Sequence, residues 1–588
     1  MYLKTSVAIP QVPGKIITKS KGGSVYVLFQ YGRKYVPEKR YAIPLRAVIG
    51  KVVSGKTDRI LPNERFQEFF PEIPVSDELP DNVRSCALRI GAYIVIRKIL
   101  EEYSLQPLLA AQFQEDCGLL LDLAAYLIVE EENAGQHYPD FAFSHPLFSS
   151  GMHIFSDSKV CRFLQSVSRE QIIGFLASWN RKRDHKQRIY ISYDSTNKNC
   201  QAGDIDIVEF GKPKDDEGVP VFNIGLAFDK TNSVPLFYEE YLGSINDVSQ
   251  FQYMVDKVRE YKYKQIGFVL DRGYFSKDNI RYMEENGFSF IIMVKGCRKL
   301  VSRLVAEHRN TFETDRDCLV RAYRVYGKTV KARLYEDDTQ ERFFHLFYNS
   351  ARQAAERQQL EQLLSRLETF LDKHVGTAVT LGKSYQEFFC LRYSKDNILL
   401  SYSEKKEAIR ARLEQCGYFA IITSERMTAP QALIQYKGRD ISEKLFGADK
   451  SFLGSRSIRV QSNDSLSAKL FIEFIALIIR NRFYNLLKET MLRLEEKPNY
   501  LTVPAALREL EKIEMVRRNN GRYMLDHAVT RKQKTILSAF GMSEEDVRKA
   551  AADIANLLAE SKSLMDETDG GNDKEDCEDG TDEINICD

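Results

Sequence analysis

The spacing of apolar and polar residues changes along the chain and separates strands from helices. Residues 1–80 alternate in short runs such as SVYVLFQY and KRYAIPLRAV, split by Gly and Pro, which predicts strands. From Arg84 to about Trp179, apolar residues recur at three-and-four spacing, which predicts helices. The helix SREQIIGFLASW opens with Ser168 and Gln171 placed as a capping box. A β-rich segment is therefore followed by a helical one.

A mixed α/β pattern begins near Arg188. RIYISYDST predicts a strand that ends at Asp194, and VFNIGLAFD and SVPLFYEEYLG predict two more strands. After a helix near 248–259, QIGFVLDRGYFS predicts a buried strand that ends at Asp271, followed by a helix and the strand FSFIIMVK. This order is what a ribonuclease-H-like mixed sheet flanked by helices would give. It puts two aspartates at strand ends, where the backbone holds side chains rigidly.

Residues 296–416 interrupt this predicted core. They contain the β runs VRAYRVYG, ERFFHLFYN and EFFCLRYS and a charged helix from 351 to about 373, and we interpret them as a β-rich insertion domain. GYFAIIT predicts a strand that returns to the core, and a long apolar helix is predicted at 466–487. A further helix is predicted near 504–515, followed by RKQKTIL as a basic turn.

A cluster of polar residue types lies within QALIQYKGRDISEKLFGADK. Tyr436, Arg439, Glu443 and Lys450 fall within roughly 60° of one another at about 100° per residue, so a single helix would carry them on one stripe. Ile434, Ile441 and Leu445 would lie opposite and dock that helix on a core. A carboxylate between two cations and a phenol suits a site that holds a metal ion beside a phosphate. The alternative is a solvated amphipathic face.

The charge distribution is more informative than the net charge of +1. Residues 1–56 hold eleven Lys or Arg and one acid, Glu38, whereas residues 566–588 hold eleven acids and one Lys. A basic end of this kind often meets polyanions, the alternative being a β subdomain with Lys-rich edges. The acidic tail cannot bury enough apolar surface to fold and is predicted to be disordered.

Cysteine usage and hydropathy indicate a soluble intracellular protein. The ten cysteines include no C-x-x-C pair and no cluster with the eight histidines, which argues for reduced thiols and against a structural zinc site. The N-terminus has no signal-peptide apolar run, and the apolar stretch 470–479 is too short to cross a bilayer. We therefore expect a cytoplasmic, nucleoid-associated protein without a membrane partner. Because no Gly-rich phosphate-binding loop is present, we expect no nucleotide cofactor.

Three stretches occur in a specific order: YISYDST, VLDRGYFS and Y-x2-R-x3-E-x6-K. Together they resemble the bacterial insertion-sequence transposases of the DDE type, in the subgroup with this last signature and a β-rich insertion in its ribonuclease-H-like catalytic domain. The resemblance covers roughly residues 189–482. Weaker matches are Asp229 after a strand, Pro235-Leu236, and Gly243 with Asp247 downstream. The acidic tail has no counterpart in these signatures, and the basic N-terminal segment is similar to end-recognition regions only in charge.

The resemblance implies a metal-dependent DNA transposase that cleaves at transposon ends and transfers strands in cut-and-paste transposition. Asp194, Asp271 and Glu443 would be the catalytic acids and would hold two Mg²⁺ or Mn²⁺ ions, which suffice for in-line phosphoryl transfer. Tyr436, Arg439 and Lys450 would contact DNA. The partners would be double-stranded DNA with terminal inverted repeats and target DNA, and a dimer on DNA is a family-level expectation.

The predicted organisation has six parts: 1–80, basic and β-rich; 84–182, helical; 186–295 plus 417–492, the catalytic core; 296–416, the β-rich insertion; 493–565, a C-terminal helical region; and 566–588, the acidic tail. The helical part 84–182 could read DNA, although it has no helix-turn-helix signature, so we prefer core helices there. Two alternative functions stay open, namely a transposase-derived DNA-binding protein that does not cleave and a nuclease without end specificity. Each aspartate could also serve only as a turn residue.

Overall fold

The computed structural model describes two compact units. One lies within residues 1–88 and 516–521, and the other within 89–515 and 522–588. The described residues are 7–10, 12, 15–21, 24–36, 41–52, 59–70, 73, 84–183, 185–200, 205–210, 219–245, 247–294, 298–336, 338–439, 447, 450, 453, 457–496, 501–518 and 521–568.

The smaller unit is built on a five-stranded antiparallel sheet. Its elements are β1 (Val7–Ala8), β2 (Ile16–Lys21), β3 (Ser24–Val36), β4 (Tyr41–Val52), β5 (Arg59–Pro62) and the helix α1 (Glu64–Phe69). The strand order is β1-β5-β4-β3-β2. Val27, Ile49, Ile60, Phe66 and Phe70 form its apolar core, where α1 covers one side of the sheet.

Helices dominate the first part of the larger unit, in agreement with the three-and-four spacing. After the short strand β6 (Ala87–Arg89) come α2 (Gly91–Tyr103), α3 (Leu105–Phe113), α4 (Cys117–Glu130), α5 (Tyr138–Ser144), α6 (Asp157–Ser166) and α7 (Arg169–Arg181). The capping box of Ser168 and Gln171 is confirmed at the start of α7. Trp179 is fully buried, and its indole Nε1 donates to the carbonyl oxygen of Pro235 across 2.9 Å.

A ten-stranded mixed sheet is the framework of the larger unit. Its first elements are β7 (Ile189–Cys200), β8 (Val221–Asp229), β9 (Val234–Leu242), α8 (Asp247–Glu260), β10 (Ile266–Leu270), α9 (Lys277–Glu285) and β11 (Ser289–Met293). They give the strand order β9-β8-β7-β10-β11, with β7, β10 and β11 parallel and the β7–β8 and β8–β9 pairs antiparallel. The mixed α/β architecture predicted from the sequence is therefore present. Every residue of β8 and β10 is buried, as expected for strands covered on both faces.

Residues 298–423 add both helices and strands. They form α10 (Arg298–His308), β12 (Leu319–Val320), β13 (Val325–Arg333), β14 (Glu341–Tyr348), α11 (Ser350–His374), α12 (Lys383–Phe388), β15 (Phe389–Tyr393), β16 (Leu399–Glu404), α13 (Lys406–Glu414) and β17 (Tyr418–Thr423). β17 pairs with β11 on one side and β14 on the other, so β12, β13 and β14 extend the central sheet. Only β15 and β16 form a separate hairpin in the described part of this segment.

The last elements include one long buried helix. They are α14 (Ala429–Lys437), β18 (Ser457–Ile458), α15 (Asn463–Arg493), α16 (Val503–Leu510), β19 (Glu514–Arg517), β20 (Tyr523–Leu525), α17 (Arg531–Ala539) and α18 (Glu544–Thr568). The long apolar helix expected at 466–487 is confirmed as α15, which packs against α4, α6 and β9.

Two local expectations at the C-terminal end are wrong. The helix predicted to reach residue 515 ends at Leu510, and the chain enters β19 at Glu514. RKQKTIL forms the helix α17 rather than a turn, because Thr530 and Gln533 make a capping box that starts it. The disordered tail predicted from 566 begins within α18, and its residues from 569 lie outside the described part of the chain.

None of the described helices is both long enough and apolar enough to span a membrane.

Candidate active site

Asp194 and Asp271 lie side by side on neighbouring parallel strands. β7 and β10 pair in register from Ile189 opposite Ile266 to Tyr193 opposite Leu270. Asp194 and Asp271 are the next residues of the two strands, so the strand pairing brings together two carboxylates that are 77 positions apart. Both side chains are partly accessible, with 17% of the Asp194 side chain and 37% of the Asp271 side chain exposed.

Asp194 is not at the end of its strand, which corrects the sequence prediction. β7 continues to Cys200 because β8 pairs with it as far as Asn199 opposite Val221. β10, by contrast, ends at Leu270, opposite Tyr193. Asp194 is therefore the first residue of β7 beyond its parallel neighbour, and a carboxylate inside a strand is tolerated there because β10 no longer covers that side.

Asp271 precedes a short turn, but its carboxylate makes no capping hydrogen bond to that turn. Residues Arg272–Tyr274 form a 3₁₀ turn in which the Tyr274 amide donates to the Asp271 carbonyl oxygen, and no side-chain cap is made. Asp194 accepts from the amide of the next residue, Ser195, at 2.9 Å, although both lie in a strand. Neither carboxylate is therefore explained by a turn alone.

The helix α14 positions the other side chains of the site, those of Tyr436 and Arg439, next to the aspartates. Thr428 and Gln431 form a capping box at its start, and Pro430 occupies its first turn, which fixes where the helix begins. Ala429, Leu433 and Tyr436 are buried in an apolar cluster with residues of the central sheet, including Val269 and Ile291. Since Val269 is on β10 and Ile291 on β11, this burial holds α14 against the strands that lead to the site.

Tyr436 and Arg439 both contact the aspartates. The Tyr436 hydroxyl donates to Asp271 Oδ1 at 3.1 Å. Arg439 Nη1 lies 3.5 Å from Asp194 Oδ2, and its Nη2 lies 3.7 Å from Asp271 Oδ1. One guanidinium thus bridges two carboxylates that would otherwise repel each other.

Tyr436 and Arg439 are both buried, which strengthens their electrostatic contacts with the aspartates. Arg439 is 8% exposed, and its guanidinium lies 5.6 Å from the centre of the Tyr436 ring. Burial and the neighbouring Asp271 carboxylate raise the pKa of Tyr436, while Arg439 opposes that effect. The phenol therefore stays protonated and acts as a hydrogen-bond donor to Asp271.

The single polar helical stripe predicted from the sequence is wrong in its described part. α14 ends at Lys437, and Arg439 follows the helix, with its amide bonded to the carbonyl oxygen of Tyr436. Tyr436 belongs to the buried face, because its ring packs in the core and only its hydroxyl reaches the site. Ile434, which was expected to dock the helix, is instead 51% exposed.

For Glu443 and Lys450, the structure gives less information than for the other predicted site residues. Glu443 lies outside the described residues, as do Ile441 and Leu445. Lys450 is described as half-buried. The structure therefore brings together Asp194, Asp271, Tyr436 and Arg439 from the predicted set.

The two aspartates have the chemistry of a cation site. Within the described part of the chain, no group of three or more His, Cys, Asp or Glu side chains is arranged to hold a metal ion. Two carboxylates nevertheless converge on the positive charge of Arg439. Oxygen ligands of this kind suit Mg²⁺ or Mn²⁺. A third carboxylate would have to come from residues that the structure does not describe.

Sequence reasoning missed two neighbours of the site. The Tyr274 hydroxyl donates to Ser195 Oγ at 2.9 Å, which links the turn after Asp271 to the residue after Asp194. Lys230 reaches the end of α14 and donates to the side-chain oxygen of Gln435 at 2.8 Å. Neither pairing leaves a local signal, because its partners are at least 79 positions apart.

The weaker motif positions have structural roles near the same strands. The Asp229 carboxylate is fully buried and accepts from the amides of Thr231 and Asn232 at 2.8 and 3.1 Å. A Cβ on Gly243 would collide with the carbonyl oxygen of Val221, so this position needs glycine for close backbone approach. These residues shape the β8–β9 pair rather than the aspartate site.

The middle part of the chain matches a known protein family. Residues 191–479 match the family model described as the transposase DDE domain. This range contains both aspartates, α14 and most of α15, and it confirms the DDE-type domain expected from the motifs. The part of the chain that contains the candidate site is therefore similar to the transposase DDE domain.

Individual relatives are distant from this chain. No curated protein sequence matches it. Among solved structures, a piggyBac transposase synaptic complex with hairpin DNA is 8% identical, covers 76% of this chain and 84% of its own, and has a TM-score of 0.31. A Mos1 transposase paired-end complex with the left transposon end is 11% identical, covers 29% of this chain and has a TM-score of 0.14. This chain spans 57% of the Mos1 protein's length.

Proposed function

We propose that the protein is an active DNA transposase that cleaves phosphodiester bonds at the ends of its element and transfers strands into target DNA. The observation that carries the proposal is the convergence of Asp194, Asp271, Tyr436 and Arg439 on one point of the sheet. The strand order β9-β8-β7-β10-β11 supports a ribonuclease-H-like core for this chemistry.

In this proposal Asp194, Asp271 and Glu443 would hold two divalent ions, Mg²⁺ or Mn²⁺. Such ions would activate the nucleophile and stabilise the leaving oxygen of an in-line displacement. Asp271 Oδ1 is already held by Tyr436 and Arg439, which orients the carboxylate and leaves its second oxygen for a ligand. Asp194 Oδ1 accepts from the Ser195 amide and its Oδ2 lies 3.5 Å from Arg439 Nη1, so an ion bound by Asp194 would share this carboxylate with Arg439.

The cationic residues have a separate task. Arg439 stays protonated at any working pH, so it neutralises the aspartate pair and can then bind a phosphate oxygen of the DNA strand. Lys450 would contact a second phosphate near the scissile bond. Tyr436 keeps its proton and fixes the position of Asp271. These roles belong to the insertion-sequence subgroup with the Y-x2-R-x3-E-x6-K signature, in which we place the chain.

The basic sheet of the smaller unit supports DNA as the partner. Five basic side chains of this sheet and the segment before it are exposed, namely Lys15, Lys19, Arg33, Lys34 and Arg46. Charge of this density binds the phosphate backbone through release of counterions. We propose terminal inverted repeats and target DNA as the substrates, with two protomers pairing the ends near the bacterial nucleoid.

The proposal is tested with purified protein, Mg²⁺ and duplex DNA that carries the element's terminal inverted repeats. Cleavage at the repeat end is expected, and Asp194→Asn should abolish cleavage while DNA binding is retained. Asp256→Asn is the matched control, because Asp256 is an exposed carboxylate of α8 that accepts from Tyr282. Wild-type binding without cleavage would instead identify a transposase-derived binding protein, and cleavage of any duplex would identify a nuclease without end specificity.

A further inference from the structure

Lys230 connects the turn between β8 and β9 to the end of α14. It follows Asp229, the last residue of β8, and its amide donates to the Tyr190 carbonyl oxygen at 2.8 Å. Its ammonium donates to the carbonyl oxygen of Gln435 and, at 2.8 Å, to the side-chain oxygen of the same residue. The two bonded residues are 205 positions apart, so this contact is purely tertiary.

The ammonium is placed where a helix end needs a cation. The last carbonyl groups of α14 have no following turn of helix to bond, and they carry the negative end of the helix dipole. Lys230 satisfies the Gln435 carbonyl oxygen, one residue before Tyr436. Since the ammonium is largely removed from water, burial lowers the pKa of Lys230 to about 8. Desolvation thus disfavours the charged form of Lys230, although both oxygens of Gln435 accept from its ammonium.

Gly438 leaves space for the end of the Lys230 side chain. A Cβ at Gly438 would lie 2.6 Å from Lys230 Nζ and closer still to Lys230 Cε. The φ of Gly438 is −62°, which any residue can adopt, so a larger side chain here is opposed only by the end of Lys230, which would have to move away. Gly438 stands directly before Arg439, which bridges the two aspartates.

The other end of the contact is fixed to the strand that carries Asp194. The Asp229 carboxylate accepts from the side-chain amide of Asn232 at 2.6 Å, and the Tyr190 amide donates to Thr231 Oγ1 at 3.1 Å. The turn that carries Lys230 is thus bonded to β7 four residues before Asp194. Lys230 thus connects a turn that is bonded to β7 with the last turn of α14.

We propose that Lys230 is a positioning residue of the active site, which holds the end of α14 so that Tyr436 and Arg439 reach Asp271 and Asp194. The inference rests on the proposed function, because its tests measure DNA cleavage. Lys230 touches neither aspartate among the described contacts, so it acts through Gln435 and Gly438. A residue with this role should change the rate of the bound complex more than the affinity for DNA.

The first test compares Lys230→Met with Lys264→Met, a control at an exposed lysine in the loop before β10. At saturating DNA, Lys230→Met should lower kcat by about 10²-fold, the effect of misplacing reacting groups by about 1 Å, with KM changed less than threefold. Lys264→Met should match the wild type. A kcat of Lys230→Met within twofold of the wild type, or equal losses in kcat and in DNA affinity, would overturn the proposal.

A second test changes the other side of the same contact, at Gly438, the residue after α14. Gly438→Ala should lower kcat in the wild-type background, because the new methyl group meets the lysine. In a Lys230→Ala background the space is empty, so Gly438→Ala should add little, and the two substitutions should be strongly non-additive. Additive effects would refute the inference. If the wild type does not cleave DNA at all, the proposed function fails, and binding of Mn²⁺ to Lys230→Met and Gly438→Ala, compared with Lys264→Met, then decides the positioning role. Binding weakened only in the first two variants supports it, and unchanged binding overturns it.

Discussion

The Tyr436 hydroxyl donates a hydrogen bond to Asp271 Oδ1 across 3.1 Å, and 165 positions of sequence separate the two residues. The ring of Tyr436 is buried in the core with Val269, which is on β10, the strand that ends just before Asp271. The bond therefore joins α14 to the end of β10 and holds one oxygen of the Asp271 carboxylate.

Removing this hydroxyl should impair catalysis with little loss of stability. Tyr436→Phe keeps the ring in the core, so we expect a change of about 1 kcal/mol in the free energy of unfolding. Cleavage should fall by about 10-fold, in the range seen when a partner of a metal-binding carboxylate is removed. Rates at saturating DNA and chemical denaturation measure the two effects. Tyr282→Phe removes a comparable bond, to Asp256 on the surface, and should leave the rate unchanged; equal rates for both variants would contradict the assigned role.

Divalent ions should stabilise the folded protein through the aspartate pair. At a free concentration 100 times the dissociation constant, a bound ion adds about 2.7 kcal/mol to the stability of the folded state. Thermal unfolding with Mn²⁺ and with a chelator should therefore differ in the wild type. The difference should be lost in Asp194→Asn and kept in Asp256→Asn. Stabilisation that survives in Asp194→Asn would place the ion elsewhere.

The basic sheet should contribute to DNA affinity in a salt-dependent manner. Replacing Lys19, Arg33 and Lys34 by Gln should weaken binding to any duplex, because exposed cations bind phosphates without reading bases. The slope of log K against log salt should become shallower by about 1 for each phosphate that the variant no longer neutralises. Fluorescence anisotropy at several salt concentrations measures this slope. An unchanged slope would show that DNA does not bind to this sheet.

The buried His345 should make the central sheet sensitive to acid. It is fully buried on β14 between the hydroxyls of Thr329 and Thr423, each 3.0 Å away, and burial lowers its pKa to about 4. Between about pH 6.5 and 4 the unfolded chain binds a proton that the folded chain does not, so stability falls as the pH falls.

A neutral substitution isolates this contribution. From pH 6.5 to 5.0 the unfolding free energy of the wild type should drop by about 2 kcal/mol more than that of His345→Asn. Urea denaturation at both pH values measures the difference. His527→Asn, at an exposed histidine, should behave like the wild type. Equal pH dependence of the wild type and His345→Asn would mean that His345 binds its proton equally well in the folded and the unfolded chain.

The acidic tail should compete with DNA for the basic surface. Deleting residues 569–588 removes nine acids and one Lys and leaves α18 intact to Thr568. If the tail covers cationic residues, the shortened protein should bind non-specific DNA more tightly at low salt, and the gain should vanish at high salt. Electrophoretic mobility shifts at two salt concentrations test this, and an unchanged affinity at low salt would leave the tail a solubilising role only.

The sequence by itself determined the parts of the protein that depend on neighbouring residues. Apolar periodicity gave the strand that ends before Asp271 and the helix α15, and the capping box at Ser168 gave the start of α7. The motifs around Asp194 and Asp271 indicated the DDE domain that the family match then supported. These signals are local, since they arise from side chains within a few positions of one another.

Only the tertiary structure decided how these parts meet. Pairing with β8 carries β7 past Asp194, and burial against the sheet turns Tyr436 from a surface stripe into a core residue. The contact of Lys230 with Gln435 joins residues 205 positions apart. Such choices depend on which surfaces exclude water together and on which strands share hydrogen bonds, and neither property can be read from the spacing within one segment.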